Sequence, residues 1–154
     1  MPDGRRLVDC GFGGLNVTAP LRADFDGEQP TRFEPQRVVR EGQHLLVQAK
    51  VSDQWRDLYV VTDEPQLAVD FEVANWFTST HPGSRFINNL IVTLADPGAR
   101  YVLFNRELSV YRDGGVERTS VDDPDRLLEV LSSRFRLHFP PGTRFGDPGA
   151  SWAR

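Results

Sequence analysis

Two sets of short apolar runs, each cut by turn residues after a handful of positions, constrain this chain more than any other feature. In the first set, Arg37-Val38-Val39-Arg40 turns at Glu41-Gly42 into His44–Val51, where Leu45, Val47 and Ala49 alternate with Leu46, Gln48 and Lys50. Ser52-Asp53-Gln54 makes a second turn and leads into 55–62, with Leu58-Tyr59-Val60-Val61 as its apolar run. The second set covers 89–95, 99–105, 108–111 and 116–119. Asp96-Pro97-Gly98 and Asp113-Gly114-Gly115 have hairpin composition, because glycine reaches positive φ at no steric cost. Strands this short and this closely spaced predict an antiparallel meander or a small barrel.

Two helical patterns interrupt the strands. After Asp63-Glu64-Pro65, residues 66–79 place Val69, Val73, Trp76 and Phe77 on one apolar face, and Pro82-Gly83 ends the segment. Asp122-Asp123-Pro124 announces the second helix, with an Asp N-cap, Pro at the first helical position and Asp125 in the first turn. Its expected buried stripe is Leu127, Leu128, Leu131 and Phe135. Residues 140–154, rich in Gly and Pro, read as a tail over the surface.

Size and charge exclude several function classes. With 154 residues, 39% of them hydrophobic and 26% charged, the chain belongs with globular proteins that bury a core. A net charge of −4 gives no electrostatic footprint for nucleic acid or an anionic membrane. Seventeen of the eighteen basic residues are Arg, and they are scattered rather than clustered. No apolar run approaches the roughly twenty residues of a membrane span, and no h-region follows Arg5-Arg6. A single cysteine fits a reducing compartment, so the expected location is the cytoplasm.

Ahead of the strands lies the segment 7–21, LVDCGFGGLNVTAPL. Leu7-Val8 reads as the end of a buried strand closed by Asp9, and Gly11-Phe12-Gly13-Gly14 as a tight turn around one exposed aromatic. Glycines there permit positive φ and close approach of a ligand. An acid beside such a turn suits the orienting of a catalytic histidine. By pattern alone it is more often a turn former or helix cap. The turn lacks the spacing, the lysine and the following helix of a phosphate loop. Residues 1–6 read as frayed. Residues 23–35, with Asp24, Asp26, Gly27, Pro30 and Pro35, read as a loop holding a short strand.

The letters carry a further message. Asp9-x-Gly11-Phe12-Gly13 is followed by Ala19-Pro20-Leu21, then by Trp55-Arg56-Asp57-Leu58-Tyr59 and Asp70-Phe71-Glu72-Val73-Ala74-Asn75. Ser79-Thr80-His81-Pro82 and Ser84-Arg85-Phe86 complete the series. From about residue 7 to 139 the chain resembles the second and third domains of the arylamine N-acetyltransferase family. The resemblance implies an α+β fold. An antiparallel barrel-like domain (1–67) would lead through a helical connector (68–88) to a sheet-plus-helix lid domain (89–139) and a tail. Family members carry the Arg-Gly-Gly-x-Cys nucleophile and a Thr-His histidine further towards the N-terminus, and this chain begins after both.

What the resemblance implies chemically is acetyl transfer from acetyl-CoA to an arylamine or hydrazine through a Cys-His-Asp triad. Asp9 matches the triad acid, while Phe12 and Phe86 match rings lining the acyl and amine pocket. Coenzyme A would lie between barrel and lid. Without the resemblance Phe86 reads as a core residue, whereas Phe12, set among glycines, is awkward to pack. If Asp9-Cys10 keeps strand geometry, the two side chains point to opposite faces, so Cys10 reads as a small buried hydrophobe. His44, His81 and His138 read as surface or capping residues, and no spacing suggests a metal site. The expectation is a chain inactive alone, paired with a separate N-terminal chain or self-associated. The alternative is a non-catalytic remnant that still binds CoA or aromatic amines.

Overall fold

The computed structural model describes residues 4–62, 64–112 and 115–146. The chain forms two compact units, Met1–Pro65 and Gln66–Arg154.

In the first unit, β1 (Arg6–Leu7) pairs antiparallel with β2 (Leu21–Arg22), and the Ala23 amide donates to the Arg5 carbonyl at 3.1 Å. Arg5 and Arg6 are therefore tied into a ladder rather than frayed, because the chain returns alongside them. Then β3 (Gln36–Glu41), β4 (His44–Val51) and β5 (Gln54–Thr62) form an antiparallel sheet in sequence order. Two-residue turns join them. Gly42 supplies a φ of 60° in the first, and Ser52 and Asp53 both stand at positive φ in the second. Such connections match strand twist and fix register.

The sheets of this unit do not close. Among the described residues a three-stranded sheet and a two-stranded pair remain separate, which corrects the expected barrel. Two strands of two residues each cannot supply the ladder that closure of so few strands would need.

One irregularity in β5 decides which side chains meet. Val47 stands opposite Tyr59 and Gln48 opposite Asp57, so Leu58 is an extra, bulged residue. A bulge lets two successive side chains share a face. Leu58 and Tyr59 both pack on the core cluster of Val17, Leu21, Val38, Leu45 and Val47. On the opposite face, the Arg37 Nε donates to Gln48 Oε1 at 2.7 Å, and Gln48 Nε2 donates to Asp57 Oδ1 at 2.6 Å.

Two buried glutamines pin the long loops to this sheet. Gln29 accepts from the Arg22 amide at 2.7 Å and donates to the Arg22 and Phe25 carbonyls. Gln36, 1% exposed, donates from Nε2 to the carbonyls of Leu15 and Asn16 at 3.1 and 3.3 Å. Replacing Gln36 by Leu keeps the bulk and strips both carbonyls of their donor. Leaving buried acceptors unpaired costs about 1–3 kcal/mol, so Gln36→Leu is expected to lower the urea midpoint accordingly. An unchanged midpoint would show that the loop carries these carbonyls without help.

The second unit opens with α1 (Ala68–Thr80) and a short α2 (Arg85–Asn88). Asp70 Oδ2 accepts from the Leu67 amide at 2.9 Å at the start of α1, and the His81 amide N–H caps its end by donating to the Phe77 carbonyl at 3.1 Å. The sequence places an apolar face on α1, but no residue of this helix is buried, and Val69, Val73, Trp76 and Phe77 are all exposed. A meander then follows, β6 (Ile91–Asp96), β7 (Ala99–Phe104), β8 (Glu107–Arg112) and β9 (Gly115–Ser120), each strand beside the next. The expected turn at Asp113-Gly114 lies outside the described residues.

Across this sheet lies α3 (Pro124–Phe135), capped by Asp123, whose Oδ1 accepts from the Arg126 amide at 2.7 Å. Leu127, Val130, Leu131 and Phe135 form its buried stripe against Leu103, Leu108 and Val121. Leu128, expected in that stripe, is only half-buried, and Val130 takes its place. The helix ends where Arg136 adopts a φ of 61° and the Leu137 amide reaches back to the Leu131 carbonyl. Beyond it, Phe145 packs on the same core, so the described part of the tail does more than cover surface.

Candidate functional site

Asp9 sits two residues beyond β1, not at the close of a buried strand, and Val8 before it is 71% exposed. The chain leaves the ladder early because Asp9 makes its own turn. Its Oδ1 accepts from the Gly11 amide at 2.8 Å and from the Phe12 amide at 3.2 Å. Short acidic side chains favour such turns because they reach backbone donors two or three residues ahead. Both amides converge on one oxygen, Oδ1.

Gly13 is the one turn glycine at positive φ, 36°, and a Cβ on it or on Gly14 would meet nothing within 4 Å. A Cβ on Gly11 would meet only the Asp9 carboxylate, at 3.8 Å. The turn thus gives open access around the acid.

The same geometry overturns the reading of Cys10. Its side chain is exposed rather than buried, because Asp9-Cys10 lies in the turn and no longer alternates as a strand does.

Asp9 lines a cleft of about 360 Å3 together with Arg5, Arg6, Leu7, Val8, Ala23, Leu45, Tyr59 and Val61. In the sequence Tyr59 stands in an apolar run and in the Trp55–Tyr59 motif, with no role assigned to it, and the bulge at Leu58 is what turns it to this side. The Phe12 ring packs on it with centroids 4.8 Å apart and planes tilted by 50°. The Tyr59 hydroxyl is buried and makes no hydrogen bond of good geometry. Its phenol is nevertheless held well above the ordinary tyrosine range, first by burial and then by the neighbouring Asp9 carboxylate. A break in strict alternation at Leu58-Tyr59 is the sequence signal that could have marked it.

Phe12 is partly exposed and Phe86 is 64% exposed, so neither is a core residue. Phe12 and Asp9 share one turn. Phe86 belongs to the second unit, where Ser84 positions it: the Ser84 hydroxyl donates to the Thr78 carbonyl at 2.7 Å and accepts from the Phe86 amide at 3.2 Å. Asn88 Nδ2 donates to the Pro82 and Ser84 carbonyls, both at 2.7 Å. The connector motif is thus a hydrogen-bonded corner.

Two of the three histidines have structural partners. His81 stacks on Phe77 at 4.5 Å and accepts the Gly83 amide on Nδ1 at 3.0 Å, while His138 Nδ1 meets the Ser132 hydroxyl at 2.9 Å. His44 is exposed at the start of β4. Among the described residues no cluster of His, Cys, Asp and Glu has the makings of a metal site. Nor is any described helix long and apolar enough to cross a membrane.

Comparison with known proteins places this site in context. The N-acetyltransferase family model matches residues 1–143. An arylamine N-acetyltransferase from Mycolicibacterium smegmatis is 42% identical over 135 residues, which are 88% of this chain and 49% of that protein. A solved cysteine-to-glutamine variant of the M. smegmatis enzyme superposes with a TM-score of 0.81 at 39% identity, over 98% of this chain and 54% of the other. The Mycobacterium marinum enzyme, solved in complex with CoA, gives 0.82 at 39% identity, over 87% and 49%. The chain spans about half the length of the curated relatives it matches. With a family match across nearly its whole length and a fold shared with solved members, this chain belongs to the arylamine N-acetyltransferase family.

Proposed function

We propose that this chain carries the acid of an acetyl-CoA-dependent arylamine N-acetyltransferase. The observation behind the reading is the Asp9 carboxylate, fixed by two amides of its own turn beside an open cleft. In the proposed reaction a cysteine thiolate attacks the acetyl carbonyl of acetyl-CoA and the CoA thiol leaves with a proton from an imidazole. An arylamine or hydrazine then attacks the enzyme thioester, loses its proton to the imidazole, and departs acetylated. Asp9 accepts the imidazole N–H, which sets the tautomer and steadies the cation.

Cysteine and histidine for this triad are assigned to polypeptide outside these 154 residues, for two reasons. The relatives contain about as much sequence again. Moreover Cys10 is exposed in the turn, and His81 and His138 have partners within the second unit. Phe12 and Phe86 are proposed to line the acyl and amine pocket, where flat rings take an aromatic amine at little entropic cost.

The test is CoA release from acetyl-CoA with anisidine. The 154-residue chain alone is expected to give none. Joined to the half of the M. smegmatis enzyme that it does not match, it is expected to turn over. Release by the chain alone that vanishes in Cys10→Ser would overturn the assignment and make Cys10 the nucleophile. A second reading, a non-catalytic module retaining CoA or the amine, is favoured by the exposed Phe12 and Phe86 rings. A chimera that folds and binds CoA by calorimetry without turnover would select it.

A further inference from the structure

The buried side chain of Gln36 carries a cost that packing alone does not account for. Its backbone is fixed on both sides: β3 pairs it with Ala49, and a bridge to Gln29 adds amide–carbonyl bonds of 2.8 and 2.9 Å. The side chain is 1% exposed, yet Oε1 is buried and makes no hydrogen bond among the described residues. A buried amide oxygen left unpaired is destabilising, and leucine would fill the same space without that penalty. What distinguishes glutamine here is its NH2 group, and so what that group holds.

It holds one end of a continuous run of hydrogen bonds. Nε2 donates to the Leu15 carbonyl at 3.1 Å, and the Asn16 amide of that same peptide group donates to the Gly13 carbonyl at 3.2 Å. The Gly13 amide donates in turn to the Gly11 carbonyl at 3.1 Å. The peptide group carrying the Gly11 carbonyl also carries the Phe12 amide, which donates to Asp9 Oδ1 at 3.2 Å. Within each shared peptide group the accepted bond strengthens the donated one. Gly13 joins the two halves, at a φ of 36° that favours glycine.

We propose that Gln36 is a positioning residue: its carboxamide, through this run, fixes the Asp9 turn relative to the sheet and so sets the direction in which the carboxylate is presented. The proposal rests on Asp9 being the working acid. The turn itself supplies the donors to Asp9, and Gln36 decides where that turn stands. With its foot tied to a buried strand, the turn does not pivot, and an imidazole meets the carboxylate in one orientation. Fixing that orientation in advance removes a positioning cost from each catalytic cycle.

The test begins with the 154-residue chain and needs no turnover. Gln36→Leu keeps the bulk and removes the donor. Solvent exchange of the Gly13 and Asn16 amides, measured by NMR, is expected to rise about two- to tenfold, the equilibrium equivalent of one ordinary hydrogen bond. Residual dipolar couplings of the Gly11 and Phe12 N–H bonds are expected to leave the alignment frame fitted to β3, β4 and β5. Val38→Ala is the control, because it removes core packing from the same strand without touching the run. It is expected to move neither readout. In the M. smegmatis chimera, Gln36→Leu is expected to lower kcat for anisidine acetylation by up to about a hundredfold, with KM for acetyl-CoA unchanged.

Couplings that stay within the frame in Gln36→Leu would overturn the proposal, whatever the exchange rates do. Equal changes in Val38→Ala would overturn it too, and so would an active chimera whose kcat ignores Gln36→Leu. If Gln36→Leu does not fold, the same measurements on Gln36→Met, which keeps the length of the stem, decide. A chimera without turnover, with exchange and couplings as expected, would count against the acetyltransferase reading and leave the hold of Gln36 on the turn standing.

Discussion

Asp9→Asn in the M. smegmatis chimera is expected to reduce kcat for anisidine acetylation by about three to four orders of magnitude, the scale set by removing the acid of a nucleophile–base–acid triad. The substitution keeps the shape of the side chain. Asn Oδ1 can still accept from the Gly11 and Phe12 amides, so the turn should hold and the fold should survive. What changes is the other end of the group. An amide NH2 directed at imidazole meets a donor with a donor, favours the wrong tautomer and removes the negative charge that steadies the imidazolium. Loss in kcat with little change in the melting temperature is therefore the expected signature. A loss under tenfold would show that Asp9 only shapes the turn. A matching fall in stability would assign the effect to folding instead.

The second large effect lies in the other unit. Leu131 is 1% exposed at the centre of the α3 stripe, against Leu103 and Leu108. Truncation to Ala removes buried methyl groups and leaves a void that a well-packed cluster fills only in part, at a cost of about 2–5 kcal/mol. Domains of this size have about 5–15 kcal/mol in total, so Leu131→Ala is expected to move the melting transition of the second unit down sharply. The half-buried neighbour supplies the control: Leu128→Ala should cost well under half as much. Equal losses at the two positions would mean that α3 does not bury the face seen here.

These two sites differ in how far the sequence revealed them. The α3 cap could be read from Asp123-Pro124 because capping chemistry is local, and the antiparallel ladders could be read from two-residue turns. The choice of Val130 over Leu128 could not, since both fit a helical period and the neighbouring sheet decides between them. Closure of a barrel was overestimated for a related reason: alternation predicts strands but not how many partners they find. At the candidate site, the turn itself was legible through its glycines, while the roles of Asp9 and Phe12 came from the family resemblance. The facing of Tyr59 was not read, because a bulge shifts it by one residue and only the break in alternation at Leu58-Tyr59 marks it. Cys10 was misplaced because strand geometry was extended two residues too far. The exposure of α1 could not be foreseen either, since apolar periodicity states what a helix can bury and not what lies beside it.

The Asp9 turn also bears on how locally a chain can write a geometry. Both amides that hold the carboxylate come from within three residues of it. The carboxylate's geometry is therefore encoded within a stretch of four residues. A substitution far from this stretch can alter what surrounds the carboxylate without altering how its own turn holds it.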